Sequence, residues 1–245
     1  MRRPSTQELL TAWEHGLNQP SVQRALILLA IAEPAAAPDE LARLTIGQRD
    51  ARLLRLREQL FGARLTNVAT CPACDERIEW EHDVADVRVA EPDAGAPAGE
   101  FEVEYGGYRL ACRLPNSSDV ASVLNGDGGK AQTALLSRCV LRAAAAGADT
   151  RVEDLPDRVV EALNRRFEAL DPQANVRVGL TCPGCTHRWQ ILFDIASYLW
   201  AELGDWAERT LQTVHRLAHG YGWSEDDILG LSPVRRQMYL GMLGP

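Results

Sequence analysis

Thr70-Cys71-Pro72-Ala73-Cys74 and Thr181-Cys182-Pro183-Gly184-Cys185 are two near-copies of one short motif, and the fold turns on how they are read. A Cys-x-x-Cys turn offers two sulfurs to one ion, because the tight knuckle also aims backbone amides at them. A single such turn is weak evidence. Two copies, each with Pro after the first Cys and each at a strand junction, specify a closed tetrathiolate site of Cys71, Cys74, Cys182 and Cys185 around one structural zinc ion.

The flanks of the two knuckles repeat as well. Ile78, Trp80, His82 and Val84 alternate with Arg77, Glu79, Glu81 and Asp83 after the first, and Val176, Val178 and Leu180 alternate into the second, which leads to a strand from Trp189 to Phe193. In both places a helix ends, a strand enters the knuckle, and an aromatic-bearing strand leaves toward an aspartate, Asp83 or Asp194. This is a short internal pseudo-repeat of β-hairpins.

Between Cys74 and Cys182 lie 107 residues, where simple ribbons have about 15 to 20. The intervening chain must leave the metal and return to it. Loop-closure entropy grows slowly with length, so the expected ion is a clasp stapling the N-terminal helices to the C-terminal ones. Four free core thiols, or a thioredoxin-type redox pair, are the alternatives; redox chemistry needs one pair, not two. Full sulfur coordination leaves no position for water, which argues against Lewis-acid catalysis. His187, two residues after Cys185, is expected beside the ligand set rather than in it, and Cys112 and Cys139 read as core residues.

Outward from the knuckles the chain reads as α+β and mainly helical, with a small α+β insert between two hairpin-borne knuckles. Its regions are 1–66, N-terminal and helical; 67–90, the first knuckle and strand; 100–170, the insert; 174–195, the second knuckle; and 196–245, C-terminal and helical. Ser5-Thr6-Gln7-Glu8 fits a capping box ahead of Leu9, Leu10, Trp13 and Leu17. The helical pattern from Pro38 to Phe61 breaks at Thr45–Asp50 and stops at Gly62. Residues 91–99 have linker composition, Gly106-Gly107 marks a tight hairpin, and Asn125–Gly129 reads as a loop. Thr133–Ala146 is expected to be an alanine-rich helix, and Thr150-x-x-Glu153 to cap another that runs to about Leu170. The last fifty residues predict one long helix and then two short ones capped by Ser224 and Ser232.

The 245 residues carry 46% hydrophobic and 24% charged residues, an ordinary globular composition for which one compact body is expected. A net charge of −8 argues against nucleic acid as a partner, since phosphate contact needs surplus Lys and Arg. No run of about eighteen apolar residues and no secretion-type N-terminus are present, so the expectation is a soluble, cytoplasmic protein without a membrane partner.

Catalytic motifs are missing. His215 and His219 share a helix face, but without the rest of an H-E-x-x-H pattern they read as surface or packing residues; Gly126–Lys130 lacks phosphate-loop spacing, and no G-x-S-x-G elbow occurs. The expectation is a protein that is not an enzyme. A zinc-ribbon nucleic-acid-binding or regulatory protein, and a thiol oxidoreductase, are the alternatives.

Several segments together resemble one family: Trp13-Glu14-x-Gly16-Leu17; Gly47-x-Arg49-Asp50-x-x-Leu53-Leu54-x-Leu56-Arg57 running to Phe61-Gly62; the paired knuckles; and a tail. The tail contains Trp206-Ala207-x-Arg209, Val214-His215-x-Leu217-Ala218, Tyr221-Gly222-Trp223-Ser224-Glu225, Ile228-Leu229-x-Leu231-Ser232 and Arg235-Arg236-x-x-Tyr239-Leu240. The chain is similar, outside residues 100–170, to the T-even-phage-type baseplate hub assembly chaperones of contractile phage tails and contractile injection systems. The resemblance implies a non-catalytic accessory whose partners are baseplate hub or spike proteins. From composition, Tyr221, Trp223, Arg235, Arg236 and Tyr239 form the candidate partner-binding set, aromatic and arginine residues being enriched at interface hot spots; Tyr221 and Trp223 equally fit core positions closing a helix corner.

Overall fold

The structure, a computed structural model, describes residues 1–89, 99–124 and 131–244. The expected linker at 91–99, apart from Gly99, and the Asn125–Gly129 loop lie outside the described residues. The architecture is α+β, dominated by helices, with three small antiparallel sheets among the described residues. No described helix is long and apolar enough to cross a membrane. Where one body was expected, the chain forms two compact units, residues 1–34 with 196–245 and residues 35–195.

The first unit is all helix: α1 (Thr6–Gly16), α2 (Ser21–Ala32), α9 (Ile195–Tyr221), α10 (Glu225–Gly230) and α11 (Pro233–Met242). The capping box at α1 is formed, with Glu8 N–H donating to Ser5 Oγ at 3.2 Å and Ser5 N–H to Glu8 Oε2 at 2.8 Å. The Trp13–Leu17 motif has a packing origin. A Cβ on Gly16 would lie 2.2 Å from the Trp200 ring, so only glycine lets α9 approach here. Arg24 lies over that ring, 4.8 Å from its centroid, and donates to the carbonyls of Gly16 and Leu17 at the end of α1. At the other end of α9, Val214, Leu217 and Ile228 are buried beneath Tyr221, Trp223, Tyr239 and Leu240.

The second unit begins with α3 (Pro38–Arg43) and α4 (Ile46–Phe61), ended by Gly62 at φ +92°. Hairpin β1 (Arg64–Thr70)/β2 (Arg77–Asp83) and short α5 (Val84–Val87) follow, and β7 (Arg177–Thr181)/β8 (Arg188–Leu192) closes the unit. Between the hairpins, β3 (Phe101–Tyr105), β4 (Tyr108–Cys112), β5 (Val140–Ala145) and β6 (Ala148–Asp149) form a four-stranded sheet in that order. Val103, Leu110, Cys112, Leu136, Val140, Leu155, Val159 and Leu163 are its buried core. Helices α6 (Ser117–Leu124), α7 (Ala131–Cys139) and α8 (Asp157–Leu170) complete it.

Two expectations in the insert are corrected. The alanine-rich helix ends at Cys139, and Val140–Ala145 is a strand. Alanine favours helix locally, but β4 would otherwise present a bare edge, and pairing Cys112 with Val140 through Tyr108 with Ala145 satisfies it. The Thr150-x-x-Glu153 segment is only a 3-10 turn (Val152–Asp154), and α8 starts after Pro156. Proline disfavours helical backbone at Leu155, so the turn cannot run on into the helix.

Helix α4 is anchored by buried polar contacts. Its Gly47 N–H donates to Asp171 Oδ2 at 2.9 Å, and a Cβ on Gly47 would sit 2.0 Å from that carboxylate. Gln173 bridges the same region to the first hairpin's exit, donating to the Val87 carbonyl and accepting from Val89 N–H. Buried Arg49 donates to Asp50 at 2.7 Å. In the insert, Asp119 accepts from Arg113, Arg138 and Asn116 N–H.

Gly47→Ala should destabilise the chain by about 3 kcal/mol, from overpacking plus the lost carboxylate bond, measurable by urea denaturation. Burial pushes the Asp50 carboxyl up to about 6 despite Arg49. Between about pH 4, where an unfolded aspartate ionises, and pH 6, the folded chain keeps a proton that the unfolded chain has lost. This contribution therefore favours the folded state at the acidic end and is lost as pH rises through 6. Unfolding free energies at pH 4 to 7 should show that decline in the wild type and a flatter profile in Asp50→Asn.

Candidate metal centre

Each knuckle is built by the same local bonds. Cys71 N–H donates to the Glu76 carbonyl at 2.9 Å and Asp75 N–H to the Cys71 carbonyl at 3.0 Å; Cys182 N–H to His187 and Thr186 N–H to Cys182 repeat both distances. The residue after the second cysteine is left-handed in both copies, Asp75 at φ +59° and Thr186 at φ +60°. Aspartate tolerates this region, but a β-branched threonine is strained there. Its hydroxyl donates to the Cys185 carbonyl at 2.7 Å.

The two hairpins bring all four sulfurs within 4.8 Å of one another. The close pairs run between knuckles: Cys71 Sγ to Cys185 Sγ and Cys74 Sγ to Cys182 Sγ, each 3.6 Å. Disulfides require about 2.05 Å, and all four thiols are free. Four sulfurs placed tetrahedrally about 2.3 Å from one ion would stand about 3.8 Å apart. The spacing therefore fits a single central ion. Cys71 and Cys182 are buried and Cys74 and Cys185 exposed, so equivalent positions in the pseudo-repeat share an environment.

Electrostatics favour a cation at the centre. Burial opposes the Cys71 thiolate, but the N–H groups of Ala73 and Cys74 and the neighbouring thiols overcome it and bring its pKa down to about 7. At Cys74 the Glu76 N–H favours the thiolate, yet Cys185 and Cys182 push the pKa up to about 12. The His187 N–H favours the thiolate at Cys185, but the net shift is upward, with Cys182 and Cys71 among the groups that raise it. Without a cation, one thiolate suppresses the next; a divalent ion removes that conflict.

His187 does not join the sulfur group and instead stacks on Trp189, ring centroids 5.8 Å apart. Glu76 from the first knuckle covers Gly184 of the second so closely that a Cβ there would lie 2.0 Å from its carboxylate. That contact explains Gly184 where the first knuckle has Ala73, and only the juxtaposed hairpins reveal it. Cys112 and Cys139 are fully buried in the insert, and burial pushes their pKa values up to about 12 and 11, as inert core thiols require. His215 and His219 stack at 6.4 Å on the exposed side of α9, and among the described residues only the four cysteines form a group of three or more potential ligands.

All four cysteines lie in the 35–195 unit, and this corrects the clasp. The N- and C-terminal helices of the other unit pack on one another directly, at Gly16 against Trp200, so an ion on the four cysteines would join segments of the 35–195 unit only. The tail residues divide. Tyr221 stacks on Trp223, centroids 4.6 Å apart, and Tyr239 meets both rings edge-on, 4.9 Å from Trp223; Arg236 is buried and Arg235 exposed.

Thr186→Gly should relieve the left-handed strain and raise stability by about 1 kcal/mol in thermal melts. Chelation should remove hydrogen-exchange protection from β1–β2 and β7–β8, because the sulfurs that join the hairpins then repel.

The family model described as T4 bacteriophage base plate protein matches residues 6–200. The match runs through both knuckles and through the 100–170 insert, and stops before most of the tail on which the resemblance drew. No curated protein and no solved structure matches the chain. A family match over most of its length, spanning helices, hairpins and insert, means that the chain belongs to the T4 bacteriophage base plate protein family.

Proposed function

We propose that this chain is a non-enzymatic assembly chaperone or adaptor for the baseplate hub of a contractile tail or contractile injection system, acting in the cytoplasm, with one structural zinc ion on Cys71, Cys74, Cys182 and Cys185. The observation that carries the reading is the family match over residues 6–200, which supports contact with other baseplate proteins. Four convergent thiolates support zinc, because soft sulfur donors at tetrahedral spacing select it over calcium or magnesium. A closed sulfur shell supports an architectural rather than a catalytic ion.

The outer face of α11 supports a hub or spike protein as partner. Val234, Met238 and Met242, four residues apart, are 69%, 60% and 69% exposed and form one apolar stripe. Exposed apolar stripes mark protein contacts, and methionine adapts to varied surfaces. Arg235 is exposed on the same helix and adds a charge-bearing contact.

Co-expression with the hub and spike proteins of the same gene cluster tests the proposal. The chain should co-purify with one of them and contain one zinc per chain by elemental analysis. Met238→Glu combined with Val234→Glu should cut the recovered partner at least about tenfold, with the melting temperature nearly unchanged, as expected for exposed positions. Normal baseplate assembly after deletion of the gene would sink the reading.

A further inference from the structure

Helix α11 turns a charge inward. Arg236 is only 8% exposed, and its guanidinium has a single hydrogen bond: Nη2 donates to the Thr6 hydroxyl at 3.3 Å, while Nη1 is buried without an acceptor. Among the described residues no acid pairs with it, and burial drives its pKa down. A buried guanidinium without a counter-ion is among the costlier arrangements a fold can hold.

Its one neighbour shows where it points. Thr6 is the first residue of α1, an 11-residue helix. The N–H groups of Thr6 and Gln7 at that end have no acceptor within the helix, and the helix dipole adds partial positive charge there. The capping box satisfies the N–H groups of Ser5 and Glu8. The Glu8 carboxylate is held by Ser5 N–H and by both terminal nitrogens of Arg2, and it makes no ion pair with Arg236. The buried guanidinium thus reaches the first residue of the helix, and an anion bound there would offset both the cation and the helix N-terminus.

The geometry points to an anion-binding site made by Arg236 and the first-turn amides of α1, whose ligand is a carboxylate supplied by a partner protein of the baseplate. A guanidinium fork at the first residue of α1 suits the two oxygens of a carboxylate. The net charge of −8 disfavours the more highly charged phosphate. The partner's identity rests on the function proposed above; the affinity for carboxylate does not.

The test is nuclear magnetic resonance of the full chain titrated with sodium acetate against sodium chloride at equal ionic strength, with inorganic phosphate as a parallel arm. The amides of Thr6 and Gln7 and the Arg236 Nε–H should shift saturably with acetate and more weakly with phosphate. Arg236→Met should melt at or above the wild-type temperature in chloride while binding acetate at least tenfold more weakly, and Arg236→Lys should also bind acetate less tightly. The assignment is overturned by the absence of a saturable shift, by its survival in Arg236→Met, by tighter binding of phosphate than acetate, or by a marked loss of stability in Arg236→Met. Acetate binding without co-purification of a baseplate protein would sink the assembly function alone; co-purification without acetate binding would sink this site alone.

Discussion

Four sulfur atoms within 4.8 Å of one another, drawn from knuckles 107 residues apart, are the constraint around which residues 35–195 are arranged. Thiolates that close repel, so the arrangement suits a cation, which would fix where both hairpins end. Because loop closure costs little more for a long loop than for a moderate one, the chain between them is free to build a sheet with its own buried core. The second hairpin still returns to a defined place. Asp171 on Gly47 and Gln173 on the backbone of Val87 and Val89 tie the approach to β7 back to the first half of the unit before the second knuckle is reached.

These ties consist of buried polar groups, and their chemistry separates fold from recognition. Asp171, Asp119 and the Arg49–Asp50 pair each bring charge or dipole inside and satisfy it locally, at a net cost relative to apolar packing but with a fixed geometry. The Gly47-x-Arg49-Asp50 segment belongs to this group: its residues hold a helix N-terminus against a carboxylate. Arg236 stands apart. It is buried like the others, yet the structure gives it only a hydroxyl. Buried polar atoms without a partner also occur at Trp80, His82, Arg88 and Ser117, but Arg88 has an ion pair with Glu58, whereas Arg236 has no ion pair among the described residues.

Membership of a baseplate family gives these features a common setting. Two-stranded hairpins are marginally stable on their own, and an ion held on the four cysteines would stabilise both hairpins of this unit. The outward stripe on α11 and the exposed Arg235 lie in the other unit, away in sequence from the four cysteines.

Much of this was legible in the residues themselves. Motif spacing identified the four cysteines, and local chemistry placed the caps at Ser5, Ser224 and Ser232, the stop at Gly62 and the Gly106-Gly107 hairpin, because a cap or a tight turn is decided within a few residues. Contacts distant in sequence were not legible. Val140–Ala145 carries helical propensity and became a strand because β4 lacked a partner; Gly16, Gly47 and Gly184 are glycine because Trp200, Asp171 and Glu76 arrive from elsewhere in the chain. The reach of the sulfur cluster was likewise beyond the sequence. Spacing determined which residues could hold an ion, but only tertiary packing decided that the terminal helices join each other directly and that all four sulfurs meet within the 35–195 unit, since which segments bury their surfaces together depends on the whole chain at once.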